Sequence, residues 1–286
     1  MARLENKVAI ITGAGSGLGR QSSQLFAAEG AKIVVMDIDG DRADATVKLV
    51  SEQGGTAVAV QADTTVEADV ERTVQTALDE FGKIDIMWAN AGIVSRGGVP
   101  SVAGGEHIEF EDYALEDWNH VITTNLTGPF LCAKHVTKTF REQGHGVILV
   151  TSSAASMQAY HQIPSYSASK AGVNAMVRGL ALDLGKYGIR VNAIAPTHGM
   201  SPNFLMEAGA PVVGQSYEEV AGPWDKSVTP IPLKLDRPPS LLDNAKIALF
   251  LVSDDAAYTS GQVISSGDGG TMGRVAIWFP EDLGQA

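Results

Sequence analysis

Cysteine is almost missing from this chain of 286 residues. Cys132 stands alone, which excludes an intrachain disulfide and a thiolate metal cluster. Its neighbours in Pro129-Phe-Leu-Cys-Ala133 are apolar, so a small buried side chain is expected there. The six histidines are scattered, without His-Glu-x-x-His or a comparable ligand spacing, and no metal is expected. Positive charge is also short: 21 Lys and Arg against 33 Asp and Glu leave a net charge of -12, which argues against nucleic acid and anionic membranes as partners. No apolar run approaches the ~20 residues that span a bilayer, and no signal-peptide pattern opens the chain, so a cytoplasmic protein with no membrane partner is expected. Linkers, repeats and low-complexity tracts are absent, so residues 1–286 are expected to form a single domain.

What is present is alternation. Apolar, β-branched runs near 7–12, 32–36, 57–61, 84–88, 146–151, 189–194 and 262–265 are separated by helix-like stretches. This pattern predicts an α/β fold, a doubly wound parallel sheet of about seven strands with helices on both faces.

The first run passes directly into Gly13-Ala-Gly-Ser16-Gly17-Leu18-Gly19 and then into a helix-like segment. Strand, glycine turn and helix is an arrangement for holding a diphosphate: glycines admit the backbone close to the ligand, and the N–H groups at the helix start favour negative charge. The second run ends at Asp37, placed to accept hydrogen bonds from an adenosine ribose and to repel a 2′-phosphate. Ala14 and Ile38 supply no cation to reverse that preference, although Arg20 and Arg42 lie nearby. NAD is the expected cofactor.

Further on, Tyr166 and Lys170 are four residues apart, and Ser153 precedes the tyrosine by thirteen. If the segment after Pro164 is helical, the ammonium and the phenol share a face. A neighbouring cation would favour phenolate and fit the tyrosine for general acid and base work. Alone, Tyr-x-x-x-Lys is a weak signal, since such a pair is often an ordinary solvated neighbour.

Together these elements resemble the short-chain dehydrogenase/reductase family, in its shorter, non-extended branch, over nearly the whole chain. Thr12-Gly13-Ala-Gly-Ser-Gly17-Leu-Gly19 looks like the family's Thr-Gly-x-x-x-Gly-x-Gly signature, and Ala89-Asn90-Ala91-Gly92 like its Asn-Asn-Ala-Gly element with the first Asn replaced. Asn125, Ser153, Tyr166 and Lys170 match its catalytic tetrad in order and spacing. The resemblance implies cofactor contacts at Gly13, Ser16, Gly17, Leu18, Gly19, Asp37, Ile38, Asp63, Thr64, Asn90, Gly92, Tyr166, Lys170, Pro196, Gly199 and Ser201. It implies that Tyr166 moves the proton and that Ser153 binds the substrate oxygen. Lys170 would lower the Tyr166 pKa and hold the nicotinamide ribose, and Asn125 would hold a water linking Lys170 to solvent. Ser152 competes with Ser153, but neighbours on a strand face opposite ways, and the spacing selects Ser153.

The expected activity is interconversion of a hydrophobic secondary alcohol and its ketone. Apolar residues within 199–238, a long segment expected to form a lid, suit such a substrate, with Met157, Tyr160 and His161 lining the pocket beside Ser153 and Tyr166. A 3-oxoacyl thioester reductase is disfavoured by Asp37 and the acidic balance. A non-catalytic dinucleotide-binding regulator is disfavoured by the complete tetrad, and an isomerase or dehydratase holding NAD tightly is a weaker alternative. Three features depart from the family's plain pattern. Thr197 follows Pro196 where glycine is customary and would be strained if the turn needed positive φ, and next to it His198 reads as an exposed loop residue. Ser95 to Asp112 looks like an added loop at the pocket mouth, and the tail 271–286 carries an Ile277-Trp278-Phe279 cluster suited to a subunit interface. A homo-oligomer, tetramer or dimer, is expected.

Overall fold

All seven apolar runs become strands in the computed structural model, which describes residues 2–94, 108–158, 160, 163–198, 231, 233, 235–237 and 239–273. The strands are β1 (Val8–Thr12), β2 (Lys32–Asp37), β3 (Thr56–Gln61), β4 (Ile86–Ala89), β5 (Gly146–Thr151), β6 (Ile189–Pro196) and β7 (Val263–Ser266). Between them run α1 (Gly17–Ala28), α2 (Gly40–Glu52), α3 (Glu67–Phe81), α4 (Leu115–Ile122), α5 (Gly128–Gln143), α6 (Pro164–Leu184) and α7 (Leu241–Val252). Every strand pair is parallel, in the order β3-β2-β1-β4-β5-β6-β7. The chain therefore winds outward in one direction from β1 and then in the other from β4. The crevice beyond the carboxyl ends of these two strands is where such folds take a ligand.

Period-two alternation divides the core into two layers. Ile10, Met87, Ile148 and Val191 point to one face with Val74, Phe140 and Val177 of α3, α5 and α6. Ile11, Trp88, Leu149 and Ile194 point to the other, with Phe26 of α1, Ala43 of α2 and Leu249 of α7. Trp88 stacks on Phe26 at 5.6 Å between ring centroids, and its indole N–H donates to Thr151 Oγ1 at 2.9 Å. That bond turns a core residue into an anchor for the upper end of β5.

The amino ends of the strands are held by two charged groups. Asp85, 4% exposed, accepts from Val8 N at 2.8 Å, Lys83 Nζ at 2.9 Å and His145 Nε2 at 3.2 Å. Arg190 donates to the carbonyls of Leu251 and Ser253, at the end of α7 and just beyond it, and to that of Thr259. With this end secured, the opposite rim is left for chemistry. Cys132 is fully buried, and burial pushes its thiol up to about 12.

Candidate active site

The glycine turn between β1 and α1 is built so that no side chain fits inside it. Gly13 has φ +60, and a Cβ there would meet Ala91 Cα at 2.9 Å; one on Gly19 would meet Gly13 O at 2.4 Å. Only glycine satisfies both the left-handed backbone and the contact. The turn's carbonyls are drawn inward, since Thr46 Oγ1 donates to Ala14 O at 3.0 Å and the Arg20 guanidinium donates to Gly15 O. Ser16 begins α1 in extended backbone, and Leu18 is buried behind it.

Asp37 ends β2, as its position in the chain implies. Its carboxylate accepts from Gly15 N at 2.8 Å and Asp39 N at 3.1 Å. Burial pushes its pKa up, against those two N–H groups and the Arg42 guanidinium. Arg20 is committed to Gly15 O and Thr46, and Arg42 pairs with Asp39 at 3.0 Å. Next to Asp37, Ile38 is 66% exposed. Asp63 forms a tight turn by accepting from Thr65 N at 2.8 Å, and Thr64 is buried where Gly128 of α5 passes close.

At the centre of the rim, Asn90 joins three strands. Its amide donates to Thr12 O at 3.0 Å and accepts from Thr151 Oγ1 at 3.0 Å, while Thr12 Oγ1 receives the N–H groups of Asn90 and Ala91. Gly92 follows, closely packed: a Cβ would stand 3.1 Å from Asn125 Oδ1 and 3.2 Å from Lys170 Nζ. Asn125 itself lies in a π-helical turn, Thr123–Thr127, between α4 and α5. Such expansions recur where a helix is shaped around a functional site. Its fully buried side chain is consumed by Ile93 N, Ile93 O and Ser169 Oγ at 2.9, 2.7 and 3.1 Å.

Ser153, Tyr166 and Lys170 converge. The segment after Pro164 is helical, with proline at the first position, where its missing N–H costs nothing. The Ser153 hydroxyl lies beside the Tyr166 phenol, close enough to favour its ionised form. Ser152 faces away, donating to Asn174 Oδ1 at 2.6 Å. Lys170 Nζ lies 5.6 Å from the Tyr166 ring centroid and donates to Thr151 O at 2.8 Å. One expectation changes here. Burial pushes the Tyr166 phenol up to about 12, eased by the Ser153 hydroxyl and pushed further by Tyr160, and burial also brings Lys170 down to about 8. Desolvation disfavours the charged form of each, and neither group figures among the influences on the other.

Pro196 ends β6, and Thr197 N continues the ladder to Ser266 O at 3.0 Å. Among the described residues the only non-glycine with positive φ is Asn6, so Thr197 carries no such strain. His198 is half-buried, not exposed: Nε2 contacts Thr271 Oγ1 at 3.1 Å, and its carbonyl accepts from Asn244 at 2.8 Å. Met157 and Tyr160 are each 45% exposed beside the tetrad. His161, Gly199 and Ser201, with most of 199–238, 95–107 and 274–286, lie outside the described residues. Sequence reasoning passed over Thr12, Thr151 and Thr46. Their one signal was a polar residue at a strand's carboxyl end or on a buried helix face. No group of three or more His, Cys, Asp or Glu among the described residues is placed to hold a metal, and no described helix is long and apolar enough to cross a membrane.

A glycine turn at the switch point of a parallel sheet, with serine, tyrosine and lysine gathered beside it, defines an oxidoreductase class, and the comparisons agree. The family model for short chain dehydrogenase matches residues 7–207, and this chain belongs to the short-chain dehydrogenase/reductase family of oxidoreductases. It is 38% identical over 261 residues to tropinone reductase-like 1 of Erythroxylum coca, covering 91% of this chain and 88% of that one. Among solved structures, levodione reductase superposes with a TM-score of 0.81 at 31% identity, covering 96% of this chain and all of that one. A 7α-hydroxysteroid dehydrogenase complexed with NADH and 7-oxo glycochenodeoxycholic acid gives 0.78 at 33%, covering 94% and 95%.

Proposed function

We propose that this protein is an NAD-dependent oxidoreductase that interconverts a hydrophobic secondary alcohol and its ketone, with Tyr166 as general acid and base. The observation that carries the reading is the convergence of Ser153 on the Tyr166 phenol, with Lys170 one helical turn away and buried against Gly92. The cradle fits a dinucleotide. The glycine turn leads from β1 into the start of α1, whose N–H groups would favour a diphosphate, and Asp37 ends β2, where the adenosine ribose hydroxyls would come. NAD over NADP is supported by Asp37 and by the commitment of Arg20 and Arg42 to other partners. NAD, when bound, supplies the hydride acceptor for oxidation and, reduced, the hydride donor for the reverse.

The chain's own residues do the rest. Ser153 holds the substrate oxygen and steadies the charge that develops on it. Tyr166 takes the hydroxyl proton in oxidation and returns it in reduction. Lys170 holds ribose hydroxyls, and Asn125 holds a water that links Lys170 to solvent. Met157 and Tyr160 give the pocket mouth an apolar lining. The ketone reductases and the steroid dehydrogenase among the similar proteins support the substrate class. We place the protein in the cytoplasm as a homo-oligomer.

The test follows absorbance at about 340 nm, the reduced nicotinamide band, while cyclic, aryl and steroid-like secondary alcohols are offered with NAD and with NADP. Turnover with NAD that Tyr166→Phe reduces at least ~10³-fold is expected, an effect within the range of general acid–base catalysis. Tight NADH binding without turnover of any alcohol or ketone would move the assignment to the non-catalytic regulator.

A further inference from the structure

Asn174 lies four residues beyond Lys170 and eight beyond Tyr166, so α6 carries all three on one face. It is 6% exposed, and its amide is spent on the turn after β5. Oδ1 accepts from Ser152 Oγ at 2.6 Å, and Nδ2 donates to Ser156 Oγ at 2.8 Å. Ser156 Oγ in turn donates to the Ser153 carbonyl at 2.6 Å, and Ser156 N donates to the same oxygen at 3.0 Å. One side chain therefore reaches the residues on either side of Ser153, and through Ser156 it grips the Ser153 peptide itself. The Ser153 side chain has only one other partner in this turn, Ala155 N at 3.2 Å, so its aim at Tyr166 depends on how that peptide is held.

We propose that Asn174 is a positioning residue that sets Ser153 in register with Tyr166 through the Ser152 and Ser156 hydroxyls. The role rests on the alcohol–ketone reading above. Asn174 does not touch the reacting atoms; it fixes the distance between two groups that do. A buried primary amide suits the task because it offers an acceptor and a donor in one plane, one for each serine. Leucine matches the size without either function, and aspartate keeps the acceptor for Ser152 while losing the donor to Ser156.

The experiment compares wild type with Asn174→Leu, Asn174→Asp and Ser156→Ala, the last a small change at the turn that keeps α6 intact. In steady-state alcohol oxidation, kcat is expected to fall at least ~10-fold in Asn174→Leu, less in the other two, with substrate KM within about twofold, because misplacement of a reacting group by about 1 Å weighs on the transition state. The rising limb of the kcat pH profile should move to higher pH, since a Ser153 held less well gives less hydrogen-bond support to phenolate. Wild-type kcat and an unmoved pH limb in folded Asn174→Leu and Ser156→Ala would overturn the proposal. Amide hydrogen exchange in the cofactor-free chain needs no substrate: faster exchange confined to 152–158 is expected, and unchanged exchange there also overturns it. If no alcohol is turned over by wild type, the functional reading fails while the exchange result still decides the role of Asn174.

Discussion

At Tyr166 and Lys170 the decisive quantity is hydration. Both side chains are nearly removed from water, and each is held toward its neutral form, the phenol with a pKa of about 12 and the amine of about 8. For the lysine the consequence for stability has a definite sign. Its folded pKa lies below the ordinary 10.5, so below pH 8 the fold bears a buried charge that the unfolded chain keeps in water. As pH climbs from about 8 to 10.5, the folded chain has already lost this proton and the unfolded chain has not, so stability from this group rises. Tyr166 acts oppositely above its ordinary 10.0, where the unfolded chain ionises first. Urea unfolding of wild type and Lys170→Met across about pH 7.5–10 should therefore show the wild type gaining on the variant by on the order of 2 kcal/mol. Parallel curves would mean that Lys170 is better solvated than its 2% exposure implies.

At the scale of elements, the β1–α1 turn and the helix carrying Asn125 are shaped for the site at some cost to regularity. Gly19 lies in the first turn of α1, where alanine would ordinarily strengthen a helix, but a Cβ there would stand 2.4 Å from Gly13 O and 2.8 Å from Ala14 Cα. Neither atom is the end of a flexible side chain, so the backbone must shift. Gly19→Ala is expected to weaken NADH binding, read by fluorescence titration, at least ~10-fold and to cost roughly 1–3 kcal/mol in denaturation. Unaltered binding would remove the glycine turn from the cofactor site. This element was readable in the chain because glycine spacing is local. The π turn at Thr123–Thr127 was not, since its expansion answers contacts with Ile93 and Ser169, remote in sequence.

For the molecule as a whole, the sheet collects the candidate site residues at its carboxyl rim, while Asp85 and Arg190 secure the opposite rim. Leu182 at 85% and Tyr258 at 106% exposure leave apolar surface on the single chain, and the sequence of the tail carries Ile277, Trp278 and Phe279, which lie outside the described residues. Size-exclusion of the full chain is expected to give a multiple of 30.0 kDa, with a chain ending at Gly273 eluting later than its lost mass explains. An unchanged assembly after truncation would take the tail out of the interface.

The alternation of strands and helices, the glycine turn and Asp37 at the end of β2 were legible in the chain as spacing between near neighbours, and the order of Asn125, Ser153, Tyr166 and Lys170 through its resemblance to the family's tetrad. Strand alternation left only one of Ser152 and Ser153 to face Tyr166, the thirteen-residue spacing selected Ser153, and Ser152 is spent on Asn174. Charge state, strain and support belonged to the tertiary structure. Burial by distant segments, not the four-residue interval, sets Tyr166 and Lys170. A ladder to Ser266 keeps Thr197 in ordinary backbone, and Asn174 reaches a turn eighteen residues earlier in the chain. Desolvation and hydrogen bonding depend on what the folded chain brings alongside, and local spacing does not record it.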